Sequence, residues 1–268
     1  MVSKTYSYQT GSPEAFFPEE RKLLLQWTPE FLLAGLQNIN NNELVAVEIF
    51  QGLVSDVSHI AAASNQSILL NIKEIPVVFF NAGKQFLPVP GSEYEPESAM
   101  AQLSQLAMLG NQDRQFTDKA YAKEIIIQWA MPGYVADAFS SHFNMITYRH
   151  LISTLVDQQM AEANFGRLVF CNTHCLATLF KAGQLQFASS IPVHTPDDLA
   201  YRCLLLMKNA SIENSDLQWY YSGMLDEDSQ LFKTLDHFVA NLHRWNPVQT
   251  VEGTREPHYF SHLQNLSL

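Results

Sequence analysis

The sequence predicts a two-lobed α/β protein made by duplicating one β-β-β-α-β-α unit. Two observations carry the prediction. Strand-like runs joined by tight turns come in triplets, first across residues 22–51 and again across 167–193. After each triplet the apolar pattern changes to a helix, a strand and a second helix. The bulk properties agree: 268 residues, 47% hydrophobic and 16% charged, are enough for a sizeable core in two modest lobes.

Residues 1–21, with Pro13 and Pro18, read as a loose N-terminal arm, and residues 22–160 as the first lobe. Its first two strands, 22–27 and 31–37, flank the turn Thr28-Pro29-Glu30. The Asn-rich stretch 38–42 is a second turn, because Asn tolerates the left-handed conformation of tight reversals. Residues 43–51 alternate apolar and polar, the period of a strand with one buried face. A helix is expected over 54–70, and then a hairpin of 75–80 and 84–89 around Asn81-Ala82-Gly83. A helix over 96–109 would place Ala99, Leu103, Leu106 and Ala107 on one face. The Ile-rich run 123–130 reads as a strand. Met131-Pro132-Gly133 then opens a helix with Pro in its first turn, carrying Tyr134, Val135, Ala138, Phe139 and Phe143 inward. A short strand at 144–147 and a helix to Met160 complete the lobe.

The second lobe, 161–245, starts again with strands at 167–173, 175–181 and 184–193, the last two joined at Ala182-Gly183. Thr195-Pro196-Asp197-Asp198 has the marks of a helix start: a Thr cap, Pro at the first position, and acids facing the helix dipole. The helix runs to Lys208, a strand at 217–222 meets Gly223, and a last helix aligns Leu231, Leu235 and Phe238. Residues 246–268 form a C-terminal tail of mixed character.

Several function classes are disfavoured. The formal net charge is -11, and the 16 Lys and Arg residues are spread from Lys4 to Arg255 without a cluster. Nucleic-acid binding rests on phosphate neutralisation, so none is expected. No apolar run reaches the ~18 residues of a membrane span, and the N-terminus has no signal pattern, so a cytoplasmic protein with no membrane partner is expected. Three cysteines, Cys171, Cys175 and Cys203, are too few and too odd in number for a disulfide framework. With His174 they do not match a zinc knuckle, and buried thiols explain them better. His258 and His262 would share a face if a helix formed there, but no Glu follows His258, so the metalloprotease pattern is missing. No metal site is expected. Nucleophile elbow, P-loop and dinucleotide fingerprint are all absent from the sequence. Trp219, Tyr220 and Tyr221 lie on one strand, and alternation turns Tyr220 away from its two neighbours.

Segments 123–150 (KEIIIQWAMPGYVADAFSSHFNMITYRH), 167–205 (RLVFCNTHCLATLFKAGQLQFASSIPVHTPDDLAYRCLLL) and 217–235 (LQWYYSGMLDEDSQLFKTL) resemble an uncharacterised bacterial family, the domain-of-unknown-function 3822 group. That group is itself similar to the actin-like ATPase superfamily. The resemblance implies two ribonuclease-H-like lobes with a cleft between them. In active members of the superfamily the first hairpin of each lobe presents an Asp, which organises Mg²⁺, and a Gly, which lets amides approach phosphate. The corresponding turns here read Gln26-Trp27-Thr28-Pro29-Glu30 and Cys171-Asn172-Thr173-His174-Cys175, with neither residue in either turn. Only the adenosine position has a counterpart, Ser222-Gly223, followed by Asp226, Glu227 and Asp228. The expectation is therefore a non-catalytic adaptor or scaffold with no catalytic residue and no cofactor, ATP with Mg²⁺ being disfavoured, and with another protein as its partner. The alternative is a nucleotide-binding protein that uses the cleft with altered phosphate loops, Ser222, Gly223 and Asp226 being the residues that would touch the ligand. For Gly223 the competing explanation is backbone geometry at a strand-to-helix corner. For Asp226, Glu227 and Asp228 it is a favourable place at a helix start.

Overall fold

A computed structural model describes residues 2–9, 20–52, 56–120, 124–158, 160–245 and 257–263. The chain divides into two compact units. One runs to Asp118 and resumes over Ile126–Leu151, and the other takes in the described residues of Lys119–Ile125 and those from Ile152 onward.

The first unit is built on strands β1 (Ser3–Gln9), β2 (Arg21–Thr28), β3 (Phe31–Asn38), β4 (Leu44–Gln51), β5 (Val77–Asn81) and β9 (Ile146–His150), in the order β1-β4-β3-β2-β5-β9. The pairs β1–β4, β4–β3 and β3–β2 are antiparallel, while β5 lies parallel to β2 and β9 parallel to β5. Burial is complete on both faces of β2, so its side chains read as an unbroken buried run. The same holds for β4 up to Phe50, only Gln51 being exposed, where the sequence alternation predicted one solvated face. Glu48 of β4 is 3% exposed and is held by Lys4, the Ser67 hydroxyl and the Ile68 amide. Helix α1 (Val57–Ser64) is shorter than the helix expected over 54–70. Its N-cap is Asp56, which accepts from the His59 amide at 3.0 Å. Ser67 ends the helical path by turning its hydroxyl to Glu48 and accepting from the Leu70 amide, and a single 3-10 turn follows at Leu69–Asn71. Residues 54 and 55 of the expected helix lie outside the described residues.

The stretch between β5 and β9 holds an insertion. Strands β6 (Phe86–Pro90), β7 (Asp113–Ala120) and β8 (Ile125–Pro132) form a separate sheet in the order β6-β8-β7, with α2 (Pro96–Ala107) packed on β6. The expected hairpin of residues 75–89 is therefore not formed, because β5 and β6 belong to different sheets. The Asn81 side chain explains the divergence: it donates to the Ala130 carbonyl and accepts from the Gly83 amide, fixing the chain as it leaves β5. Helix α3 (Gly133–His142) returns to the main sheet, burying Val135, Ala138 and Phe139 beside α1. Tyr134, expected inside, is 49% exposed, as is Leu106 of α2 at 72%.

The second unit repeats the plan without the insertion. Strands β10 (Phe165–Phe170), β11 (His174–Lys181), β12 (Gln184–Pro192), β13 (Gln218–Gly223) and β14 (Leu242–Arg244) lie in the order β12-β11-β10-β13-β14. This is the order β4-β3-β2-β5-β9 again, with β13 parallel to β10 and β14 parallel to β13. Three antiparallel strands followed by two parallel to the first make each unit a ribonuclease-H-like lobe. Helices α5 (Pro196–Asn209) and α6 (Gln230–Phe238) pack together as α1 and α3 do in the first unit. Thr195 caps α5 by accepting from the Asp198 amide, with Pro196 in the first turn, as the sequence predicts. The β11–β12 turn has positive φ at both Ala182 and Gly183, the left-handed pair that closes a two-residue hairpin. Leu168, Phe170, Leu179, Leu199, Cys203, Met207, Trp219, Tyr221 and Leu235 form this unit's core. Phe238, expected inward, is 45% exposed.

Two expectations about the termini change. Ser3–Gln9 is not loose: it forms β1, antiparallel to β4 at the end of the first sheet. At the other end, the 3-10 turns Pro257–Tyr259 and Ser261–Leu263 join α4 (Leu151–Asp157) in completing the second unit. Residues 246–256 and 264–268 of the tail lie outside the described residues. No helix among the described residues is long and apolar enough to cross a membrane.

Candidate functional site

The sequence resemblance marks two hairpin turns as the expected phosphate positions. In the first, β2 and β3 pair Thr28 with Phe31 across Pro29-Glu30. The fully buried Thr28 turns its hydroxyl into the bend and accepts from the amides of Glu30 at 3.3 Å and Phe31 at 3.2 Å. The Glu30 carbonyl accepts from the Gly52 amide. Amides that would have to point at an anion are thus bonded within the turn, and Pro29 has none to offer.

The second turn closes on itself in a different way. The Cys171 amide donates to the His174 carbonyl at 2.8 Å, and the Thr173 amide donates back to Cys171. Asn172 sits at φ 65°, the left-handed conformation that Asn adopts readily. Cys171 and Cys175 point inward and are fully buried, and the Thr173 carbonyl accepts from Val193 beyond β12. Burial raises the Cys175 thiol well above its ordinary value, and raises Cys203 to about 12. Both are therefore neutral thiols at neutral pH, and a thiolate is what a metal would need. The described residues contain no group of three or more His, Cys, Asp or Glu that could hold a metal ion.

Ser222, Gly223 and Asp226 follow one another at the end of β13, and each has a task in the fold. Gly223 lies at φ 85°, and a Cβ there would sit 2.4 Å from the carbonyl oxygen and 2.8 Å from the amide nitrogen of Phe170. The strand end can approach β10 this closely only without a side chain. Ser222 is 3% exposed and pairs with Val169. Asp226 is exposed, and its carboxylate accepts from the Asp228 amide at 2.9 Å, shaping the turn that precedes α6. The N-cap of α6 is Ser229, which accepts from the Phe232 amide.

Glu227 has a partner set that the sequence did not reveal. It accepts from the Tyr221 hydroxyl and, through two nitrogens, from Arg244 of β14. The Arg244 guanidinium holds its carboxyl below the usual carboxylate range, and burial pushes the Tyr221 phenol up. The His258 ring bonds the Leu225 carbonyl at 2.8 Å and packs edge-on against Tyr221. The C-terminal 3-10 turns are thereby tied to the loop after β13. His262 is 1% exposed, and burial lowers its pKa to about 3.

On the opposite face of β13, Tyr220 turns away from Trp219 and Tyr221, as alternation predicts. Its hydroxyl donates to Glu162 at 2.8 Å. Beside it the Arg167 guanidinium is buried, donating to the Leu155 and Gln158 carbonyls and the Gln158 side chain while lying 4.7 Å from the Trp245 ring. Desolvation draws its pKa down to about 9. Arg167, Ser222, Trp245 and His262 line a cavity of about 10 Å³, about one water in size. Arg167 was not singled out from the sequence: its i, i+2 neighbours are apolar, but nothing local marks a buried cation.

The family model described as a protein of unknown function, DUF3822, matches residues 18–242. No curated protein matches the chain. Among solved structures, a protein from Bacteroides thetaiotaomicron VPI-5482 with an actin-like ATPase fold and unknown function aligns with TM-score 0.73 at 13% identity, over 85% of this chain and 91% of its own. The cytoplasmic domain of EpsL, an inner membrane component of the type II secretion system of Vibrio cholerae, aligns with TM-score 0.52 at 10% identity, over 92% and 96%. The PilM–PilN type IV pilus biogenesis complex gives 0.55 at 9% identity, over 83% and 87%. At these identities the likeness is one of fold.

Proposed function

Because the chain belongs to the DUF3822 family of unknown function and has the actin-like ATPase fold, we propose that it is a non-catalytic member of that architecture, an adaptor or scaffold for another protein. One observation carries the proposal: at both phosphate-position turns amides are taken up within the protein, those of Glu30 and Phe31 by Thr28 in the first turn, and those of Cys171 and Thr173 by His174 and Cys171 in the second. Phosphoryl transfer needs positioned amides and a carboxylate for Mg²⁺, and neither turn supplies an Asp or a Gly. Two solved structures of similar fold support the protein-partner part of the reading. One is a complex of PilM with PilN, and the other is a component of a secretion system.

The test is thermal shift and calorimetry of the intact chain with ATP, ADP and GTP at millimolar concentration with Mg²⁺. The expected result is no Mg²⁺-dependent stabilisation and no phosphate release. Saturable binding or turnover of any of the three nucleotides overturns the proposal.

A further inference from the structure

Strand β12 ends the second sheet, and nothing among the described residues pairs with its outer side. Sheet edges are ordinarily protected by charge, proline or irregularity, because unpaired amides and carbonyls invite another strand. The other edges here follow that rule. Lys4 lies on β1, Arg149 on β9, Arg244 on β14, Pro88 and Pro90 on β6, and Asp113, Arg114, Asp118 and Lys119 on β7. By contrast, β12 (QLQFASSIP) has no charge along its length, and its proline is its last residue. A bulge shifts the register between Leu179 and Phe180, but from Phe187 to Pro192 the pairing with β11 is regular.

The register also says which groups are unpaired. Val193 donates to the Thr173 carbonyl, so this pair is bonded. Antiparallel pairs alternate, so Ile191, Ser189 and Phe187 also face β11, and the amides and carbonyls of Ala188 and Ser190 point outward. Among the described residues the Ser190 carbonyl meets only the Ser189 hydroxyl, at 3.5 Å. Alongside this edge runs a groove of about 420 Å³ between β12 and α5, with Phe187, Leu205 and Leu206 as its apolar wall. Arg202 is the one charged residue lining it; it is exposed, and it has no ion pair or hydrogen bond within the described residues. The Ser190 hydroxyl is buried without a hydrogen-bond partner among the described residues.

We infer that β12 is a docking edge for an extended segment of a partner protein, which adds a strand to the sheet, puts an apolar side chain into the groove and sets an Asp or Glu against Arg202. Backbone pairing supplies affinity in this mode of recognition, and the side-chain pocket supplies specificity. The lone cation selects the acidic residue. A second copy fits less well, since pairing β12 with β12 would bring another uncharged strand and another Arg202, with no acidic residue to meet the first. The inference rests on the adaptor reading and names where, and by what chemistry, the partner binds.

The test is to pan a library of random linear peptides on the intact chain and measure the enriched peptides by fluorescence polarisation. Enriched sequences should alternate apolar residues and carry Asp or Glu. Ser190→Pro removes an outward amide while keeping the ladder to β11, and should weaken binding about tenfold or more. Arg202→Glu, at an exposed helix position, should weaken acidic peptides about tenfold and improve those remade with Lys; it decides the matter if Ser190→Pro does not fold. Enrichment of no peptide, or equal binding by wild type and Arg202→Glu, overturns the inference. So does self-association of the wild-type chain that Ser190→Pro abolishes, which would assign the edge to a second copy. The two readings fail separately. Nucleotide turnover refutes the adaptor role and leaves the peptide affinities as measured, whereas peptides that bind away from β12 refute the docking edge alone.

Discussion

Replacing Gly223 with alanine should destabilise the second unit by about 3 kcal/mol, for two reasons that the structure separates. The first is conformational: φ is 85°, and a residue with a Cβ held in left-handed space costs about 1–2 kcal/mol. The second is steric. The new methyl would lie 2.4 Å from the Phe170 carbonyl oxygen and 2.8 Å from its amide nitrogen. These are backbone atoms of a central strand and cannot rotate away, so overpacking adds about 1–3 kcal/mol. Gly183→Ala is the control, because φ is 73° there and nothing lies within 4 Å of the place a Cβ would take. It should cost only the first contribution, about 1 kcal/mol. Urea titration followed by circular dichroism measures both, and in thermal melts Gly223→Ala should lower Tm by roughly 6–12 °C. If the two variants prove equally stable, the close approach of β13 to β10 is not what requires a glycine. A lost ligand signal in a Gly223 variant would accordingly have to be judged against its stability before it is read as a lost contact.

Three further outcomes follow from the same geometry. Thr28→Val keeps the shape of the first turn but removes the acceptor of two amides, and should cost about 1 kcal/mol in urea titration. His262 gives a pH dependence. Its folded pKa is about 3, below the ordinary value of 6.5, so between these limits the unfolded chain binds the proton and the folded chain does not. Stability should therefore fall as pH drops from about 6.5 toward 3, by at most about 1.4 kcal/mol per pH unit, and His262→Phe should flatten that slope. The three cysteines should resist a thiol reagent at pH 8 in the folded chain and react together once guanidinium unfolds it, since all are buried and burial raises Cys175 and Cys203. Rapid reaction of the native protein would contradict their placement.

The duplication was legible because its signals are local. The turns at 38–42 and 182–183, the capped start of α5, and the triplets of apolar runs all depend on residues near one another in the chain. The missed strands depend on distant partners. Ser3–Gln9 contains only Tyr6 and Tyr8 as large apolar groups, and it is a strand because β4 offers it an edge. Asp113–Ala120 carries four charged residues and pairs at the rim of the small sheet. The turn at Asn81-Ala82-Gly83 has the composition of a hairpin, yet β5 takes parallel neighbours from elsewhere, a choice no local signal records. At the candidate site, the empty Asp and Gly positions could be read directly. The internal bonding of the turn amides could not, nor could the clamp of Arg244 and Tyr221 on Glu227, in which Arg244 and Glu227 lie 17 apart in the chain.

The most direct test of a non-catalytic actin-like fold is calorimetric titration of the intact chain with ATP and Mg²⁺, paired with a phosphate-release assay on the same sample. Turns without Asp or Gly, in which the Glu30, Phe31, Cys171 and Thr173 amides are already bonded, should give no heat of binding at millimolar nucleotide and no phosphate above the buffer blank. A saturable, Mg²⁺-dependent isotherm accompanied by turnover would contradict the account.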